Sequence, residues 1–216
     1  MAPGSGRARR GNEEGTRTHM RTVPSDATDV TAPAGQTDPT YIAFLRAVNV
    51  PGRKVEMARL REVLTQLGFT GARTYIASGN AFFTGAGNDR ARIVERVEAG
   101  LAETFGFEVP TILRTTDELR TELAASPFVG RQPAPDERFS MVYSSGPLTD
   151  GGFPLRSAKG DWEVLGACGA TAYVRWRLVN GRPVNPVPAI EKTFGVQATG
   201  RFFHTSEKIL AAAGKG

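Results

Sequence analysis

Arg46 and Asn49 close one apolar run, Arg53 and Lys54 follow a Pro51-Gly52 turn, and Ser78-Gly79-Asn80 breaks a later run. These are the residues best suited to chemistry. Two guanidiniums, an ammonium, two amide side chains and a hydroxyl can hold a phosphate or carboxylate, aided by backbone N–H groups at a helix N-terminus. The same residues have a plainer use. Asn and Gly satisfy turn geometry, and Arg46 can pair with a carboxylate or tie down a loop carbonyl.

Catalytic signals are weaker. Ile76-Ala77-Ser78-Gly79 lacks the glycine that precedes the serine by two residues in a nucleophile elbow. A serine–histidine couple would have to join Ser78 to His204. Cys168 sits in a Gly-rich hairpin with no cation nearby in sequence to activate it. Gly85–Arg90 has arginine at the third glycine position of a dinucleotide fingerprint, and Gly52-Arg53-Lys54 lacks the upstream glycine of a P-loop. One cysteine, with only His19 and His204 as histidines, excludes an intramolecular disulfide and a Cys/His zinc site. No catalytic residue, metal or cofactor is assigned.

The elements that must position the polar residues follow from periodicity. Tyr41–Val48 is apolar on both faces of a strand, so it must be covered on both. Met57, Leu60, Val63, Leu64 and Leu67 form a helical stripe ended by Gly68. Thr74–Ala77 and Ala81–Thr84 read as a hairpin around Ser78-Gly79-Asn80. Asn88 or Asp89 caps a helix carrying Ile93, Val97, Leu101 and Phe105, and Val109–Leu113 is the fourth strand. The capping box at Thr115–Glu118 opens a linking helix. The second half runs through a strand at 139–144, a turn or two of helix within 146–160, a hairpin of 162–165 with 171–178, and a helix after Asn185-Pro186. A strand at 198–203 and a terminal helix capped by Thr205 or Ser206 complete it.

Both halves thus read β-α-β-β-α-β. The fold class expected is α+β, with two ferredoxin-like halves packed together as an internal duplication. The expected organisation is a disordered tail over 1–39, a first half over 40–115, a linking helix and loop over 116–138, and a second half over 139–213. In such a half the first two strands are parallel with the third between them. This brings Arg46, Asn49, the 50–56 loop and Ser78-Gly79-Asn80 to one edge of the sheet.

Composition narrows the partners. The first 40 residues lack aromatics and have two valines as their aliphatics beyond alanine, too little to offset ordering entropy. Their five arginines balance five acids, so the net charge of +5 belongs to the rest of the 216-residue chain. A basic balance permits anionic partners. Trp162, Tyr173 and Trp176 could stack on bases, but no RNA-recognition motif accompanies them, and packing between the halves explains them more simply. No apolar run approaches the ~18 residues of a membrane span, and the single cysteine suits a reducing cytoplasm.

Residues 41–213 resemble the bacterial domain-of-unknown-function family numbered 1697. The resemblance rests on Leu45-Arg46-Ala47-Val48-Asn49-Val50-Pro51-Gly52, Met57, Leu60, Gly68-Phe69, Thr74-Tyr75-Ile76-Ala77-Ser78-Gly79-Asn80 and Thr199-Gly200-Arg201-Phe202-Phe203-His204-Thr205. Ala47 and Pro51 stand where the family has glycine, and Phe202-Phe203 where it has Asn-Trp. The resemblance implies the fold and a bacterial cytoplasmic protein, and no activity. It adds Arg201 as a candidate in the second half. The expected function is a binding module with a small anionic ligand or protein partner at the polar sheet edge. The alternatives are an enzyme acting on a phosphorylated or carboxylated metabolite, and an RNA-binding protein. Oligomeric state is left open.

Overall fold

Tyr41–Leu45 (β1) has large apolar side chains on both faces, and each face is buried in a different core. Strand side chains alternate, so Tyr41, Ala43 and Leu45 enter one core while Ile42 and Phe44 enter another. The structure is a computed structural model that describes residues 38–148, 153–179 and 182–214. The tail expected over 1–39 therefore lies outside the described residues, apart from Asp38 and Pro39.

The first sheet comprises β1, β2 (Thr70–Thr74), β3 (Asn80–Thr84) and β4 (Thr111–Thr115), in the order β2-β3-β1-β4. All its pairings are antiparallel, so β1 and β2 run parallel on either side of β3. One face carries α1 (Met57–Gln66) and α2 (Arg90–Phe105), whose Leu60, Val63, Leu64, Ile93, Val97 and Leu101 fill that core. Asp89 caps α2 by accepting from the Arg92 N–H, and left-handed Gly106 ends it.

The second sheet follows α3 (Thr116–Ala124). It contains β5 (Glu137–Ser144), β6 (Leu155–Arg156), β7 (Trp162–Cys168), β8 (Thr171–Val179) and β10 (Ala198–Phe202), in the order β10-β5-β8-β7-β6, with β9 (Arg182–Pro183) pairing with the end of β8. Helix α4 (Val187–Phe194) packs its Ile190 on the outer face. The inner faces of the two sheets share the central core, where Phe44 of β1 stacks on Tyr143 of β5 at 4.0 Å between ring centroids. Leu119 and Leu123 of α3, with Phe203 and Ile209 of α5 (Phe203–Ala213), line the same core. The molecule is therefore an α+β fold with two antiparallel sheets and five helices among the described residues.

Four local readings change. Strand β1 stops at Leu45 because Ala47 and Asn49 adopt left-handed φ of 52° and 55°. Strand β2 lies four residues earlier than expected, at Thr70–Thr74, and Tyr75–Gly79 forms the turn, with Ile76 left-handed and exposed. The short helix expected within 146–160 is absent among the described residues, which hold β6 instead. Helix α5 starts at Phe203 rather than after a Thr205 or Ser206 cap. Ser206 is fully buried inside it and accepts the Tyr143 hydroxyl at 2.7 Å.

Because one strand feeds both cores, the two sheets should unfold together. Phe44→Ala removes a fully buried ring and should cost about 3–5 kcal/mol. Both tryptophans, Trp162 and Trp176, lie in the second sheet, whereas Phe44 lies in the first. Urea unfolding followed by tryptophan fluorescence and by circular dichroism should shift by the same amount. A fluorescence transition unmoved by the substitution would show that the sheets are separate units.

Candidate functional site

The polar residues expected at one sheet edge do converge, and a side chain from the other sheet fills the space between them. Arg201 of β10 is nine-tenths buried. Its Nε donates to Asn80 Oδ1 at 2.7 Å, and its Nη2 donates to the carbonyls of Leu45 and Ser78 at 3.1 and 2.9 Å, with Gly79 O at 3.3 Å. Nη1 serves Thr199 Oγ1 and Gly200 O. Burial lowers its pKa to about 10, so it remains charged at neutral pH. Asn80 turns its amide nitrogen on Tyr75 O and Ser78 Oγ.

The neighbouring candidates are also engaged. Arg46 bonds Glu191 of α4 at 2.8 Å. Asn49 bridges the corner, donating to Ala77 O at 2.5 Å and accepting from the Val55 N–H at 2.9 Å. Arg53 reaches the Glu108 carbonyl and lies over the Phe107 ring. Lys54 pairs with Glu56 in solvent. Gly79 has a left-handed φ, and a Cβ there would come within 2.5 Å of Val48 Cγ2 and 2.9 Å of Leu45 Cβ. The Ser-Gly-Asn turn is thus a socket for Arg201, with its donors spent on protein acceptors.

A second arginine makes the reciprocal contact. Arg114 of β4 is also buried, and its Nη2 donates to Ala170 O at 2.5 Å, with Ser144 O and Thr171 Oγ1 each at 3.3 Å. Ser144 ends β5 as Leu45 ends β1, and Ala170-Thr171 turns the β7–β8 hairpin as Gly79-Asn80 turns β2 into β3. Leu45 N–H bonds Gly79 O and Ser144 N–H bonds Ala170 O, each at 2.8 Å. Glu98 of α2 accepts the Thr111 N–H as Glu191 of α4 accepts the Ala198 N–H. Arg114 lies over the Tyr143 ring and Arg201 over Phe44.

The two corners differ in two ways. Arg114 has a carboxylate partner, Glu122 of α3, at 2.8 Å from Nε. Eight residues beyond Arg201 the corresponding position is Ile209, fully buried. Arg46 bonds Glu191, whereas Ser145, which follows Ser144 as Arg46 follows Leu45, makes no such link to Glu98. Beside the second corner lies an open groove of about 1420 Å³. It runs along the outer edge of β4, between α2 and α3, and is closed at its far side by residues 144–147 and 168–170.

Glu122 forms part of the groove lining with its side chain 8% exposed. Burial raises its pKa, against the opposing charge of Arg114 and hydrogen bonds from the Thr171 hydroxyl and from Arg114. Higher on the wall, burial pushes Glu118 up, but bonds from Arg90 and from the Thr115 N–H outweigh it and leave its pKa lowered. The β1–β4 pairing turns the backbone groups of Thr111, Leu113 and Thr115 outward. Side chains cover most of that edge: Glu98 takes the Thr111 N–H, Arg90 donates to Leu113 O, and Glu118 takes the Thr115 N–H.

The sequence expectations missed Arg114, Glu98, Glu118 and Glu122. One signal was readable for Glu122. It falls on the stripe with Leu119 and Leu123, all three buried on one face of α3. The aromatic residues considered for base stacking are placed otherwise. Tyr173 is buried with its hydroxyl on Glu122 O at 2.6 Å, and Trp176 packs near Phe202.

The contrast between the polar contacts is measurable. Arg201→Ala leaves several buried acceptors unmet, each costing about 1–3 kcal/mol, and should lose at least about 3 kcal/mol. Arg46→Ala breaks a partly exposed pair and should lose less than about 1 kcal/mol. Ala47→Gly relieves a left-handed alanine and should add up to about 1 kcal/mol, the αL penalty less the extra chain entropy of glycine. Chemical denaturation of the three variants checks all of these. Equal losses for Arg201→Ala and Arg46→Ala would contradict the socket.

Comparison with known proteins bears on the whole arrangement. No curated protein matches the chain significantly. Among solved structures it is similar to a conserved bacterial protein, SP0830 from Streptococcus pneumoniae, at 24% identity and a TM-score of 0.63, covering 82% of this chain and 99% of that one. That likeness concerns the fold. The family model described as "Protein of unknown function (DUF1697)" matches residues 39–173, from the approach to β1 through the Ser-Gly-Asn socket and Arg114 into β8. The chain belongs to the DUF1697 family.

Proposed function

We propose that this protein is a binding module for a small molecule, and that its site is the groove beside β4. The observation that carries this reading is Glu122. It is a nearly buried ionisable group, its pKa raised by burial, in the lining of a cleft, a combination that marks candidate sites. The small anionic ligand expected at the Arg46, Asn49, Ser78, Gly79, Asn80 and Arg201 corner has weaker support, because Arg201 directs its donors at protein acceptors there. Arg53 and Lys54 lie outside that socket, on Glu108 O and Glu56.

The reciprocal contacts of Arg114 and Arg201 also support the reading of residues 40–115 and 139–213 as two ferredoxin-like copies, joined by 116–138. The first sheet has the order β2-β3-β1-β4, and β7-β8-β5-β10 repeats it in the second. On this reading the groove is the corner of the pair that was left open, since Arg46 bridges to Glu191 where Ser145 leaves Glu98 free of such a bridge. Catalysis is the second reading, favoured by the raised pKa of Glu122 in a cleft, which suits a proton-transfer group. No helix among the described residues is long and apolar enough to cross a membrane. A reducing, cytoplasmic setting fits the single, unpaired Cys168.

Internal correspondence supplies the test. Ser145→Arg places a guanidinium opposite Glu98 as Arg46 stands opposite Glu191, and should close the groove. Ser145 is exposed, so the stability change should stay within about 0.5 kcal/mol. A thermal-shift screen of wild type against anionic, neutral and cationic metabolites should yield hits that the variant loses. Hits retained in full by Ser145→Arg would place binding elsewhere.

A further inference from the structure

We infer that the turns at 46–53 and 75–79, which close the Arg201 corner, form a docking surface for a second copy of this chain. Ala47, Asn49 and Ile76 are the three non-glycine residues with left-handed φ among the described residues, and all lie on these two turns. The socket for Arg201 accounts for the bends but not for the residues that occupy them. Glycine takes such a φ without penalty, whereas a β-branched side chain there is an outlier. Ile76 nevertheless sits at φ 49° with 49% of its surface exposed, and it belongs to none of the three cores. Val50, on the neighbouring turn, is 44% exposed. Backbone strain of this kind persists only where neighbours fix it, and it gathers at sites that contact something else.

Together with Ala47, Pro51 and Ala77, all exposed, these two side chains make an apolar tip. None of the five lines the groove beside β4. Asn49 ties the two turns together through Ala77 O, and the Arg53 N–H closes Pro51-Gly52 on Val50 O. A surface held in shape before contact loses little freedom on binding. The charges at its border name the partner. Arg46 is paired with Glu191 and Lys54 with Glu56, while Arg53 is turned onto the Phe107 ring and the Glu108 carbonyl. A lipid surface of anionic headgroups would call for unpaired cations. A border of balanced sign suits its own copy across a two-fold axis, where apolar meets apolar and each cation meets an anion. The tip is small against the roughly 20–30 residues a side of a stable interface, so the dimer is weak and concentration-dependent.

The experiment follows sedimentation velocity and amide chemical shifts of the full chain over a dilution series at fixed ionic strength. Self-association should be reversible, and the shifts that move with concentration should fall on residues 47–54 and 76–78. Ile76→Asn keeps a residue that tolerates left-handed φ and removes the aliphatic contact. In dilute solution it should melt at or above the wild-type midpoint, and it should weaken self-association by about tenfold or more. Val50→Ser should weaken it too, whereas Val129→Ser, at an exposed aliphatic outside the two turns, should leave it unchanged. A chain that stays monomeric at the highest concentration would overturn the proposal, as would concentration-dependent shifts confined to other surfaces. Ile76→Asn associating as tightly as wild type would also overturn it. Binding of the monomer to phosphatidylglycerol vesicles, lost in Ile76→Asn and without self-association, would assign the tip to a lipid surface instead.

Discussion

A buried guanidinium tolerates folding only where its donors find acceptors in the right directions, since removing a charge from water costs several kcal/mol even after relaxation. Arg114 and Arg201 impose that condition on both sheets. Each leaves the outer strand of its own sheet and ends among the carbonyls of the other, beside the stacked rings of Phe44 and Tyr143. Apolar burial alone would let two flat sheet faces slide over one another. Directional bonds to Leu45 O and Ser78 O on one side, and to Ser144 O and Ala170 O on the other, fix the offset.

The local oddities of the chain follow from this constraint. Carbonyls that must point into a socket cannot all belong to a regular ladder, so β1 ends at Leu45 and the next turns are irregular. Ala47, Asn49 and Ile76 take left-handed conformations there, which L-residues adopt at a cost of about 1–2 kcal/mol. Asn49 offsets part of its cost by bridging Ala77 O and the Val55 N–H. Gly79 is required by space as well as by φ, because a methyl group would collide with Val48 and Leu45.

Much of the framework was legible because it rests on short-range patterns. The stripes of α1 and α2, the Thr115–Glu118 capping box and Gly68 each announce themselves within a few residues. The two-sided apolarity of Tyr41–Leu45 also foretold a second cover, which the second sheet supplies. The failures are equally physical. Tyr75 and Ile76 look like strand residues, yet they belong to a turn shaped by an arginine more than 120 positions away. The corner was legible as a convergence of polar groups and Arg201 as a candidate, but not their meeting, because nothing local in the sequence ties position 201 to that corner. The groove was illegible for the same reason, with walls drawn from α2, β4, α3 and two distant loops.

The two corners act as an internal control on the meaning of Glu122. At the Arg201 corner the Nε that Glu122 satisfies on Arg114 is met instead by Asn80 Oδ1, and the helix position is the apolar Ile209. The fold thus meets the same guanidinium demand in two ways, with an amide from a turn or with a carboxylate from a helix. The burial of Glu122 raises its pKa, a cost that the neutral Asn80 avoids at the other corner. Glu98 and Glu118 cover the β4 edge against another strand, as charged side chains do at exposed sheet edges, and in doing so they set negative charge in the lining of the groove. The protection of the sheet edge thus decides the charge of the groove beside it.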